Sequence, residues 1–141
     1  MFEKKYEERL VLWGEFRKHL EDSKDPIQDT IEFFSTAPFT RFAADPYDRS
    51  MWPTPWELIQ ENKFCEFVKI LAICYTLQLT DRFSRDDFEI HITQDKETFE
   101  TKYLLYVNGK VVGYDVDCAI LEQDLPGSLA LEMRFSMPHL Q

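Results

Sequence analysis

The hydrophobic period of this chain changes once, near Asp81, and that change restricts what it can fold into. Before it, apolar residues recur at helical spacing; after it, they alternate. From Lys4 to Leu20 the residues Tyr6, Leu10, Trp13, Phe16 and Leu20 follow one another at steps of three and four, which predicts an amphipathic helix. Beyond Asp81, Phe88, Ile90 and Ile92 alternate with Glu89, His91 and Thr93, which predicts a strand. The fold class is therefore α+β: N-terminal helices packed on a C-terminal antiparallel meander of about four strands. The 141 residues suit a single domain, 1–141, helical over about 1–80 and sheet over about 86–136.

Local signals place the other elements. Asp25-Pro26 starts a second helix, with Ile27, Ile31 and Phe34 on one face and an end near Ser35. Residues 36–54 carry three prolines and read as a loop anchored by Phe39, Phe42, Tyr47 and Trp52. Thr54-Pro55-Trp56-Glu57 has capping-box form and opens a short helix ending at Asn62. From Phe64 to Leu79 the chain is apolar nearly all round, which marks a central helix with Leu71 and Cys74 buried. Lys102–Val107 and Lys110–Cys118 read as strands joined at Asn108-Gly109, the strongest hairpin signal. Leu129 to Phe135 alternates as a fourth strand after a turn at Pro126-Gly127.

Both faces of the predicted hairpin are apolar: Leu104, Tyr106 and Val111 on one, Tyr103, Leu105, Val112 and Tyr114 on the other. One face can cover the central helix. The other needs its own cover, either the helix from Lys4 to Leu20 or a second copy of the chain; a homodimer is the expectation.

Composition limits the partners. The net charge is −10, and the Lys and Arg residues form no basic run. Neither nucleic acid nor an anionic membrane is an expected partner. The stretch Phe64–Leu79 is too short and, with Glu66 and Lys69, too charged to span a membrane. The charged start Met-Phe-Glu-Lys-Lys does not read as a signal peptide. Cys65, Cys74 and Cys118 make an odd number without a C-x-x-C pair, which fits a reduced, cytoplasmic setting. No phosphate-loop, dinucleotide or zinc-protease pattern occurs, and no cofactor is expected. His91 with Glu89, near Asp86, Asp87 and Asp95, could suggest a metal site, but one histidine among scattered acids reads as a solvated strand face, and no metal is expected.

Two clusters are candidate sites. Tyr47, Arg49 and Trp52 are residue types that anchor protein interfaces, although aromatics in such a loop can equally plug it onto the core. Cys65 falls in the first turn of the central helix, where free amides and the helix dipole favour a thiolate. With Trp56 before it and the strand Val111-Val112-Gly113-Tyr114-Asp115 after it, this segment resembles the core of papain-like and transglutaminase-like cysteine enzymes. That resemblance implies a cysteine-dependent hydrolase or transferase with Cys65 as nucleophile, His91 as base and Asp115 orienting the base. The strand on which such enzymes carry their histidine corresponds to Lys102–Val107, which has none, so a degenerate, inactive relative also fits. A second stretch, WPTPWELI from Trp52, Phe64-Cys65 and CYTLQLTDRF from Cys74, looks like small proteins of tailed phages of marine microbes. It implies a viral accessory protein working in the host cytoplasm. The leading expectation is a non-enzymatic interaction or accessory protein acting through protein contacts; the cysteine enzyme is the alternative.

Overall fold

The computed structural model describes residues 1–140. Four helices precede a five-stranded antiparallel sheet: α1 (Tyr6–Leu20), α2 (Pro26–Phe34), α3 (Pro55–Glu61), α4 (Glu66–Gln78), β1 (Phe88–Asp95), β2 (Thr101–Val107), β3 (Lys110–Val112), β4 (Ile120–Leu121) and β5 (Leu129–Met137). The α+β arrangement predicted from the period change is the one observed.

The caps act as the sequence dictates. The Asp25 carboxylate accepts from Gln28 N at 3.2 Å and opens α2. Thr54 and Glu57 form both halves of a capping box, and Asn62 closes α3 in the left-handed region at φ 54°. The central helix begins two residues later than expected. Phe64 pairs with Phe39 as an isolated parallel bridge, and Cys65 becomes the N-cap of α4.

α4 lies at the centre. Leu71 and Cys74 are fully buried, as its lack of a polar face requires. One buried cluster runs from Trp13, Leu20 and Phe34 through Phe67 and Leu71 to Ile90, Leu105, Val107 and Met137. Helices and one sheet face thus share a core. α1 is bound to this helical layer by Trp13, whose indole N–H donates to Thr76 Oγ1 at 3.0 Å.

Sheet order departs from a simple meander. The strands lie β4-β3-β2-β1-β5, so the last strand returns beside the first. This is Greek-key connectivity, with β1 inside the sheet rather than at an edge. The strand expected over Lys110–Cys118 stops at Val112. The cause is Gly113, at φ 109°, where a Cβ would stand 2.2 Å from Tyr103 O. A residue held there cannot continue the pleat, and the chain leaves the sheet.

The second face of the hairpin is covered within the chain. Val111 stands opposite Tyr106, and Leu104 opposite His91, on the side away from the helices. Leu104 and Val111 are nevertheless 0% exposed. Residues 122–128 connect β4 at one edge to β5 at the other. Glu122 N donates to Gly109 O at one end of the sheet, and Lys96 N donates to Ser128 O at the opposite end, both at 2.9 Å. The segment therefore crosses this face corner to corner. Leu104 and Val111 are thus covered within a single chain, without a second copy.

Candidate binding cleft

Cys65, His91 and Asp115 do not come together. Cys65 is 6% exposed, and its Sγ accepts from Val68 N at 3.5 Å, so the sulfur caps α4. His91 alternates with the core residues Ile90 and Ile92 and so projects from the opposite face of the sheet. There its Nε2 meets Glu89 Oε1 at 2.9 Å, and its ring lies against Tyr106, centroids 4.0 Å apart. The sheet stands between the thiol and the imidazole. Asp115 Oδ1 accepts from Asp117 N at 2.8 Å. That bond, with the Cys118 thiol, holds the Asp115 carboxyl below the usual carboxylate range. Its partners are its own loop, and no imidazole is among them.

The other thiols are no better placed as nucleophiles. Burial pushes the Cys74 thiol well above its ordinary value, and it donates to Gln78 Oε1 at 3.5 Å. Burial and the neighbouring Asp115 carboxylate raise Cys118. Among the described residues no three His, Cys, Asp or Glu side chains assemble into a metal-ligand set. No helix among them is long and apolar enough to cross a membrane.

Tyr47, Arg49 and Trp52 do come together, and they face β5. Tyr47 Oη donates to Glu132 at 2.7 Å, and that bond is the main reason its phenol is pushed up to about 12. Arg49 Nη2 donates to Ser136 O at 2.8 Å, and its guanidinium lies over the Trp52 and Phe135 rings. Trp52 meets Phe135 edge-on, centroids 4.8 Å apart. The trio fastens the loop to the edge strand. Trp56, by contrast, stays half exposed at the helical surface, edge-on to Trp13.

The first half of the same loop behaves differently. Phe39 and Phe42, expected as anchors, are each 67% exposed. Phe39 is not loose. Phe64 N donates to Pro38 O at 3.1 Å, and Thr40 N donates to Phe64 O at 3.0 Å. Two backbone bonds fix the residue against the start of α4 while its ring points to solvent.

This ring stands beside a cleft of about 630 Å³ between α2, α4, the start of β2 and the chain after β3. Ile31, Ile70, Ile73 and Val112 supply apolar walls. Val116, 81% exposed, lies on its rim. A smaller cavity of about 230 Å³ adjoins it, sharing Phe39, Glu66 and Tyr103 and reaching Phe42 and Cys65. A cleft of this size with apolar walls and a polar rim is the usual form of a ligand or anchor-residue site. Of its residues, sequence reading singled out Asp115 alone as functional. Phe39 was named only as a loop anchor, and Val116 and Asp117 were not marked. The available signal was Gly113: a glycine interrupting a strand pattern foretells a close backbone approach and a chain turning away.

The protein matches no family model, and a search of curated proteins returns no relative.

Proposed function

We propose that this is a non-enzymatic interaction protein that takes a partner's side chain into the cleft between α2, α4 and β2. The observation that carries this reading is Phe39: a large ring, exposed, held by two backbone bonds, at the mouth of an apolar cleft. An aromatic fixed in place before binding loses little freedom on contact, which is what an interface anchor needs. The likeness to small phage proteins favours an accessory role in a host cytoplasm. The separation of Cys65 from His91 by the sheet weighs against the cysteine-enzyme alternative.

Site-specific photo-crosslinking tests the reading. A benzophenone side chain at position 39 should give a discrete adduct in cells that express the protein, and the adduct should vanish when Val116→Ser is added. The same group at exposed Val11 on α1 should not give it. Adducts that are identical from both positions, or insensitive to Val116, would overturn the reading. Alkylation gives an independent check. Native protein should label first at half-buried Cys118 and far more slowly at Cys65 and Cys74. Rapid labelling of Cys65 that is lost in His91→Ala would restore the enzyme.

A further inference from the structure

We infer that the segment docking in this cleft is basic and amphipathic, a peptide of the partner that presents an apolar side chain with a Lys or Arg about one helical turn away. This rests on the cleft being an interaction site, as proposed above, and adds the chemistry of its occupant. Six charged side chains line the cleft: Glu66, Lys69, Glu100, Lys102, Asp115 and Asp117. Lys102 Nζ is paired with Glu100 at 3.3 Å and also lies over the Tyr114 ring. Glu66 and Lys69 stand three positions apart on α4 with no ion pair between them, so the lining as a whole holds four carboxylates against two ammonium groups. Among the described residues neither Asp115 nor Asp117 has a Lys, Arg or His within ion-pair distance. Asp115 is held ionised by the Asp117 N–H, and Asp117 and Val116 beside it are exposed.

The cleft is therefore apolar inside and carries uncompensated negative charge at the loop after β3. An anionic apolar ligand would meet two like charges there. A purely cationic ligand would leave the isoleucine walls unfilled. A second copy of this chain is a poor occupant, since acidic residues outnumber basic ones by 26 to 16 and no basic run occurs. The exposed rings of Phe39 and Phe42 extend the apolar surface past the cleft mouth, as suits a peptide longer than a single anchored side chain.

Fluorescence anisotropy with three labelled helical peptides of about four turns decides the matter. One places Leu and Lys at amphipathic spacing, one replaces every Lys by Glu, and one replaces every Leu by Ser. The Lys/Leu peptide should bind saturably and at least about tenfold more tightly than either of the others. Asp117→Lys should weaken it by about tenfold or more, whereas Glu7→Lys, an equal change of charge on exposed α1, should alter it by less than about twofold. Both positions are on the surface, and circular dichroism confirms that each variant is folded. Equal weakening by the two variants, or equal binding of the Lys/Ser peptide, would reduce the effect to general attraction by an acidic protein and overturn the inference. Tighter binding of the Glu/Leu peptide, lost in Val116→Ser, would overturn the basic partner while leaving the cleft as an interaction site. Failure of every peptide to bind would count against the cleft itself.

Discussion

The two halves of the loop between α2 and α3 both carry large aromatics, and these have opposite fates. Each half carries two large aromatics and an arginine. Residues 45–52 clasp theirs onto the sheet edge: Tyr47, Arg49 and Trp52 fasten to Glu132, Ser136 and Phe135 on β5. Residues 39–42 leave theirs in solvent while the backbone at Phe39 is bonded to Phe64. An aromatic side chain can thus fix a loop, or a loop can be fixed so that the aromatic stays free. The difference lies in which group is tethered, the side chain or the backbone, and only the second arrangement leaves a surface ready for a partner.

Stability measurements should separate the halves. Trp52→Ala removes ring contacts with both Phe67 and Phe135 from a half-buried site, and chemical denaturation should show a loss of about 2–4 kcal/mol. Arg49→Ala deletes the bond to Ser136 O and the stacking on two rings, for about 0.5–1.5 kcal/mol. Tyr47→Phe loses a single exposed hydrogen bond and should cost less than about 1 kcal/mol. Phe39→Ser should change stability by no more than about 0.5 kcal/mol in either direction. A loss at Phe39 comparable to that at Trp52 would erase the distinction and make both halves structural.

The smallest effect is one of pH. Tyr47 is raised from 10.0 to about 12, chiefly by its bond to Glu132. The fold therefore favours the neutral phenol. Its contribution is fully present below pH 10 and fades as pH rises from there towards 12. An ultraviolet tyrosinate titration should show Tyr47→Phe removing one of the late-ionising phenols. If it removes an early one instead, the clasp on β5 is open in solution.

What could be read in the sequence was what is decided locally. The capping box at Thr54-Glu57, the Asn62 stop and the Asn108-Gly109 hairpin each depend on a few neighbouring residues and stand where expected, and the apolar run of α4 is helical from Glu66 rather than Phe64. The pairing of β5 with β1 was not legible, because alternation at Leu129–Phe135 says that a strand exists and not which strand it joins. The short β3 was missed because Val111 to Tyr114 keeps its apolar character through Gly113, and only the close approach to Tyr103 O shows why the strand ends. The cleft was illegible for the same reason as β5. Its walls come from α2, Phe39, α4, residues 100–103 and residues 112–117 without Tyr114, which share no spacing. Cys65 and His91 were paired only through the resemblance to cysteine enzymes, and the alternation of β1 sends the histidine to the far side of the sheet.

The return of β5 to the side of β1 also governs the order of assembly. β1 and β2 are joined by a short turn and can pair early, yet the other edge of β1 stays open until the chain has passed through β2, β3 and β4 and crossed the sheet. Until then Ile90 and Ile92 lie on an unpaired edge, and Leu104 and Val111 lack the segment that covers them. Pairings that close so long a loop form late and slowly. The species that precedes that closure has an open strand and an uncovered apolar face, the form of this chain most prone to associate with copies of itself. The order of strand pairing thus sets when in folding this chain is most open to self-association.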